Sequence, residues 1–236
     1  MCGRYASSRR PDDLVSYFEI DEAPTEMLAP SFNVAPTDPV YIVLSRQRDG
    51  SPPRRELQVA RWGLVPSWAK DAKAAARHIN ARAESVATTP AYRSAYRRRR
   101  CLVPADGYYE WQQQGGNKQP YYLSQLGGAP LAMAGLYELW RPPDGAGATR
   151  WTCTVLTTSA PDEHAVIHDR TPLLVAREAW ATWLDAANDQ PDVLLIPGVP
   201  GVLSAWPVDK AVGNVRNNAP ELVQPIDPGG HQPTLL

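Results

Sequence analysis

The chain has 236 residues, 43% of them hydrophobic and 21% charged, with a net charge of −1. Such a chain folds as one large or two small domains, and as a whole it is neither disordered nor a polyanion binder. Three cysteines without a CxxC pair support neither a disulfide framework nor a zinc ribbon. No apolar run follows Met1 and no stretch reaches the length of a membrane span, so the expectation is a cytoplasmic protein without a membrane partner. Twenty-four prolines favour short strands joined by rigid loops over long helices. Eight tryptophans and ten tyrosines against two phenylalanines suit cores with wet edges and surfaces that stack on planar ligands.

The first stretch, MCGRYA, puts a thiol at position 2. The first residues of a domain are usually poorly ordered, so this is a poor place for a packing residue. It is a good place for chemistry. With Met1 removed, Cys2 carries an α-amine and a thiol on adjacent carbons. The amine of such a pair adds to an aldehyde as a Schiff base, and the thiol closes onto it as a thiazolidine. Their ordinary pKa values, about 7.7–8.0 and about 8.5, leave a usable nucleophilic fraction of each at neutral pH.

PDDLVSYFEI (11–20) predicts a first helix, with acidic residues in its opening turn and Leu14, Tyr17 and Phe18 at helical spacing. A proline-punctuated loop, APSFNVAPTDP, leads to strands at 40–45 and 56–64 joined by the hairpin loop RQRDGSPPR. RWGLVPSWA (61–69) sets Trp62 and Trp68 about an apolar turn. Trp62 reads as a core corner, whereas Trp68 could stack on nucleobases.

The alanine-rich stretch that follows reads as a loop and then a helix from about Ala81, with a further helix in AYRSAYRRRR. Within HINARAES (78–85), Asn80, Arg82 and Glu84 share one side if the piece is extended; the competing reading makes Asn80 a helix cap. Residues 61–100 hold ten basic side chains against two acidic ones, the footprint of a localised phosphate-binding face.

Four segments of strand character follow, CLVPADGYYEWQ, PYYLSQ, LAMAGLYELW and WTCTVLTTSA, separated by glycine-rich turns in a meander pattern. Cys101 and Cys153 lie in these apolar runs and read as packing residues. Glu110 stands among tyrosines and tryptophan, where an unpaired carboxylate is costly. Burial there would raise its pKa and suit it to acid–base work. DEHAVI reads as a helical turn and brings His164 and His168, but no third ligand at a metal-binding spacing, so no metal or other cofactor is expected. His168, at a junction, suits proton transfer near neutral pH. A strand at 170–176, a helix at 177–187, a last strand at 202–208 and a tail complete the chain. The whole reads as one α+β domain with a largely antiparallel core, residues 2–220, and a C-terminal tail, 221–236.

MCGRYA, FNVAPT, RWGLVPSWA, INARAES, CLVPADGYYEW, AGLYELW and VIHDRTP together resemble, in order and rough spacing, the SRAP (SOS-response-associated peptidase) family over residues 2–220. The resemblance implies an abasic-site sensor in single-stranded DNA. After loss of Met1, by self-cleavage or an aminopeptidase, Cys2 would link reversibly to the lesion's aldehyde as a thiazolidine. It implies Cys2, Asn80, Glu110 and His168 as catalytic residues: nucleophile, positioning residue, acid–base residue, and the group that opens the sugar and reverses the link. It implies Arg4, Asn33, Trp68, Arg82 and Arg170 as DNA contacts, in a monomer associated with the nucleoid when bound to damage. The chain departs from the family at Thr171, where methionine is usual. Two rival readings are an N-terminal-nucleophile amidotransferase, also built on a processed Cys2, and a non-covalent single-stranded DNA-binding module.

Overall fold

The computed structural model describes residues 2–48, 50–143, 145, 147–197 and 201–227. The chain forms two sheets, one of them closed on itself. Strands β3 (Pro39–Arg46) and β4 (Arg54–Trp62) make the long hairpin expected from the sequence, paired from Pro39↔Arg61 to Arg46↔Arg54. β6 (Arg100–Ala105) joins β3, and β9 (Leu131–Trp140) joins β6. β10 (Arg150–Ser159) pairs with β9 and also, in parallel, with β4, which closes a five-stranded ring.

Alternation along the ring sorts its side chains. Ile42, Leu44, Trp62, Cys101, Val103, Met133, Cys153 and Val155 pack together on one face. Tyr41, Val43, Leu102, Ala134 and Leu136 pack on the other, under Leu14 and Phe18 of helix α1 (Pro11–Phe18) and Tyr96 of helix α2 (Arg93–Arg98). Both expected packing cysteines are fully buried.

The second sheet is antiparallel throughout. Its order is β12 (Leu203–Pro207), β8 (Asn117–Gln125), β7 (Gly107–Gln114), β1 (Tyr5–Ser7) and β2 (Ser31–Val34). β1 is an interior strand, with Tyr5 opposite both Tyr108 and Val34. An interior strand has both ladder edges satisfied, so the opening of the chain is among its best-anchored segments. This is how position 2 escapes the usual fraying of a terminus.

The structure departs from the sequence reading in several places. CLVPADGYYEWQ is two strands in different sheets. The chain crosses between them at Asp106, whose carboxylate accepts from the Ser8 amide (2.6 Å) and hydroxyl (2.7 Å). Gly107 permits the crossing, because a Cβ there would lie 2.5 Å from the Leu123 carbonyl oxygen. The helix expected from Ala81 is instead strand β5 (Asn80–Arg82) and a 3-10 turn at Ala83–Ser85. Parallel pairing of Asn80, Ala81 and Arg82 with Val155, Leu156 and Thr157 outweighs the helical preference of alanine. The strand at 170–176 shortens to β11 (Arg170–Pro172). The helix at 177–187 becomes a 3-10 turn and α4 (Trp180–Leu184), after α3 (Asp162–Ala165). Residues 221–227, expected in a tail, pack against the sheet: Leu222 is buried, and the Ile226 amide donates to the Pro207 carbonyl (3.0 Å). The remainder of that tail, 228–236, lies outside the described residues.

Arg100 ends the basic run inside the molecule, 3% exposed. It donates to the carbonyls of Trp183 (2.7 Å), Tyr96 (2.8 Å), Arg97 (2.8 Å) and Asn188 (3.2 Å), and to that of Asp185. It thereby ties the end of α2 to the end of α4.

Candidate active site

Cys2 is fully buried where the ring's apolar face meets the second sheet, in one cluster with Tyr5, Trp62, Tyr108 and Leu123. Its main chain is gripped from the ring side. The Asn80 amide donates to the Cys2 carbonyl at 2.7 Å, and the Tyr92 hydroxyl donates to the Asn80 carbonyl at 3.0 Å. The Trp62 indole donates to the Ile79 carbonyl (2.9 Å), which fixes the strand that carries Asn80. Trp62 is thus the core corner the sequence suggested. Asn80 Oδ1 is itself buried and makes no hydrogen bond, so an acceptor stands beside the Cys2 main chain.

Glu110, 3% exposed, lies on β7. Burial pushes its carboxyl from the ordinary 4.5 up to about 7, and the charge of Asp169 adds to the rise. Burial, with the nearby charge of Glu110, pushes the Cys2 thiol well above its usual range. The resting thiol is therefore neutral, and a base must take its proton before it can attack. The Glu110 shift also couples to stability. The folded state binds this proton more tightly than the unfolded chain, so the contribution is full below about pH 4.5 and is lost as pH rises through about 7.

His168 lies across from Glu110 in a loop after α3. Its Nδ1 accepts from the Arg170 amide (3.0 Å) and sits 3.0 Å from Asp169 Oδ1. Burial pulls its pKa down, which favours the neutral ring. Cys2, Asn80, Glu110 and His168 are therefore drawn together from β1's leading end, β5, β7 and the α3–β11 loop. Sequence reasoning missed Tyr108. Its hydroxyl bonds Thr171 Oγ1 at 2.9 Å, and the nearby Cys2 and Glu110 add to the rise that burial imposes on its pKa. Thr171, the position that departs from the family pattern, is thus committed to Tyr108.

The five residues expected to meet DNA divide by environment. Trp68 is 68% exposed at the tip of its loop. The loop is pinned behind it by the Trp140 indole on the Ala69 carbonyl (2.8 Å) and the Val65 amide on Thr152 Oγ1 (3.1 Å). Arg82 is exposed at the end of β5. Arg170 pairs with both carboxylate oxygens of Glu84 (2.5 and 2.9 Å) and donates to the Thr157 carbonyl (2.6 Å). Arg4 donates to Asn33 Oδ1 (2.7 Å) and the Val212 carbonyl (2.9 Å). Asn33, 3% exposed, spends its own amide on the carbonyls of Val212, Asn214 and Asn217. Arg4 and Asn33 thus lock the 212–217 loop beside β1 and β2. Of the ten basic residues in 61–100, eight are exposed; Arg99 is paired with Glu138 and Arg100 is internal.

The family model for SOS response associated peptidase (SRAP) matches residues 1–215. The chain belongs to the SRAP family. Among curated SRAP relatives, abasic site processing protein YoqW of Bacillus subtilis is 37% identical over 229 residues, covering 95% of this chain and 99% of that protein. Abasic site processing protein YedK of Escherichia coli is 30% identical over 237 residues, covering 96% and 100%. Abasic site processing protein HMCES of Gallus gallus is 35% identical over 228 residues, covering 85% and 67%. A crystal structure of a protein from Bacteroides thetaiotaomicron shares the SRAP fold described above, with a TM-score of 0.84 and 25% identity, covering 95% of this chain and all of that one. No helix among the described residues is long and apolar enough to cross a membrane.

Proposed function

We propose that the chain processes abasic sites in single-stranded DNA by capturing the lesion covalently at Cys2. Its relatives are named for abasic-site processing. The observation that carries the reading is the burial of Cys2 beside Glu110, its main chain held by Asn80. Met1, whose removal frees the amine, lies outside the described residues. Self-cleavage or an aminopeptidase would remove it.

The chemistry follows from the site. The abasic sugar opens to its aldehyde, with His168 transferring the proton between ring oxygen and hydroxyl. The Cys2 amine attacks the aldehyde carbon, and the carbinolamine loses water to give an iminium. Glu110, titrating near 7, carries the amine's surplus proton to the carbinolamine oxygen, then takes the thiol's proton and passes it to the hydroxyl that departs as water. The sulfur closes onto the iminium carbon and the nitrogen becomes neutral, leaving a thiazolidine that protects the strand from scission. Trp68 stacks on a base, Arg82 and Arg170 meet phosphates, and Arg4 with Asn33 holds the wall on the 212–217 side. A single chain supplies every one of these groups.

The test is a denaturing gel of the processed protein with a single-stranded oligonucleotide carrying one abasic site, beside an intact oligonucleotide. A retarded band confined to the abasic strand is the expected result. Its absence, with Met1 confirmed missing by mass, would return the field to glutamine hydrolysis or reversible binding.

Glu110→Gln is expected to slow capture by about two orders of magnitude, the usual worth of a positioned acid–base group. Its residual rate should lose the native rise through pH 7, as read from crosslinking time courses between pH 5.5 and 8.5. The same change removes the buried titration, so the variant's melting temperature at pH 8 should match or exceed the native one. His168→Ala should slow ring opening and, more severely, release of the preformed crosslink. Native rates in both variants would strip those residues of their roles.

A further inference from the structure

A small cavity opens beside Glu110 and His168. Tyr108, His164, Ile167 and Arg170 also line it. Its free volume, about 10 Å³, is the size of a single water molecule. Two polar atoms of its lining residues are buried without a hydrogen bond, His164 Nδ1 and Arg170 Nε. His164 is 93% buried, at 7% exposure. Glu163 lies 3.7 Å from its Nδ1, beyond a hydrogen bond, and directs that carboxylate oxygen to the Gly201 amide at 2.8 Å. A buried nitrogen left this way is costly, and a site of this size with several polar partners is what a bound water requires.

We infer that His164 positions in this cavity the water that hydrolyses the crosslink. The inference rests on the capture reading above. Release of a thiazolidine consumes one water, and the steps balance as follows. The nitrogen lone pair forms the iminium as the carbon–sulfur bond breaks, the bond's electron pair leaves on sulfur, and the sulfur takes the proton of the Glu110 carboxyl. Water oxygen adds to the iminium carbon and gives one proton to the Glu110 carboxylate, which passes it to nitrogen. The carbon–nitrogen bond breaks as the new hydroxyl's proton goes to Glu110, returning the aldehyde and the free amine. A water held beside both Glu110 and His168 reaches that carbon without bulk solvent entering the site. Capture expels a water at the same step, so His164 is a positioning residue for the water step in both directions.

The experiment uses the full, processed chain and two variants. His164→Leu fills the space without a polar atom. His164→Asn keeps a hydrogen-bonding atom at the position of Nδ1. Crosslinks are preformed on a labelled single-stranded abasic oligonucleotide, and release is followed on denaturing gels under an excess of unlabelled abasic strand. Release by His164→Leu should slow by about tenfold or more, a barrier change of about 1.4 kcal/mol, with capture slowed in step and the equilibrium yield of crosslink within about twofold of native. His164→Asn should restore release to within about threefold. Native release from His164→Leu would overturn the inference and leave capture standing. Equal slowing in both variants would overturn it too, because it would mark a packing role. Failure of the native chain to crosslink would overturn the capture reading and this inference with it.

Discussion

Cys2→Ala is expected to yield no band on a denaturing gel while reversible binding to single-stranded DNA stays within about twofold of native. The asymmetry follows from the division of labour in the site. The exposed aromatic and cationic groups, Trp68 and Arg82, lie outside the buried cluster that holds position 2. The alanine variant retains an α-amine after Met1 removal, so an imine still forms but reverts. Adding borohydride should reduce it to a stable amine and recover the band. A persistent band from Cys2→Ala without reductant would refute ring closure by the thiol. A salt-dependent, unchanged affinity measured by anisotropy would confirm that binding and capture are separable.

Arg100→Met is expected to produce a large loss of stability although the residue lies outside the site. The guanidinium satisfies five backbone carbonyls at the ends of two helices. Methionine fills much of the volume and satisfies none. Leaving buried acceptors unmet costs about 1–3 kcal/mol each before water or relaxation intervenes, and an aggregate near 3 kcal/mol is a conservative expectation. For a chain of this size that is a fall in melting temperature of about 6–12 °C. Arg98→Met, at an exposed neighbour in the same run, should move it by less than about 2 °C, since surface changes seldom exceed 0.5 kcal/mol. Equal effects at the two positions would contradict the assignment of Arg100 as an internal tie.

That contrast marks what the sequence could and could not disclose. Four arginines in a row carry no local sign that the last turns inward, because the five carbonyls it meets belong to segments as far as 88 residues away. Alternation and turn residues, both local, disclosed the β3–β4 hairpin and the antiparallel character of the core. The insertion of β1 between β7 and β2 was not legible, since nothing within residues 5–7 distinguishes an interior strand from an edge. Residues 80–82 were misread as helical because alanine's preference is local and the pairing with β10 is not. At the candidate site, the burial and raised pKa of Glu110 were legible because a carboxyl in an aromatic run is chemically out of place. Tyr108 was not, because a tyrosine in such a run looks like ordinary core until its hydroxyl is found on Thr171.

The grip of Arg4 on the 212–217 loop has a temporal side. Arg4 bonds the Val212 carbonyl, 208 positions further along the chain, and β1 needs β7 as a neighbour before it can dock. During synthesis the leading end therefore has no completed berth until nearly all of the polypeptide has left the ribosome. Contacts of such long sequence separation form late. Throughout that interval the amino terminus is open to trimming enzymes. Cys2 is enclosed only afterwards, so the topology sets an order at position 2: exposure first, burial second, once the fold has closed.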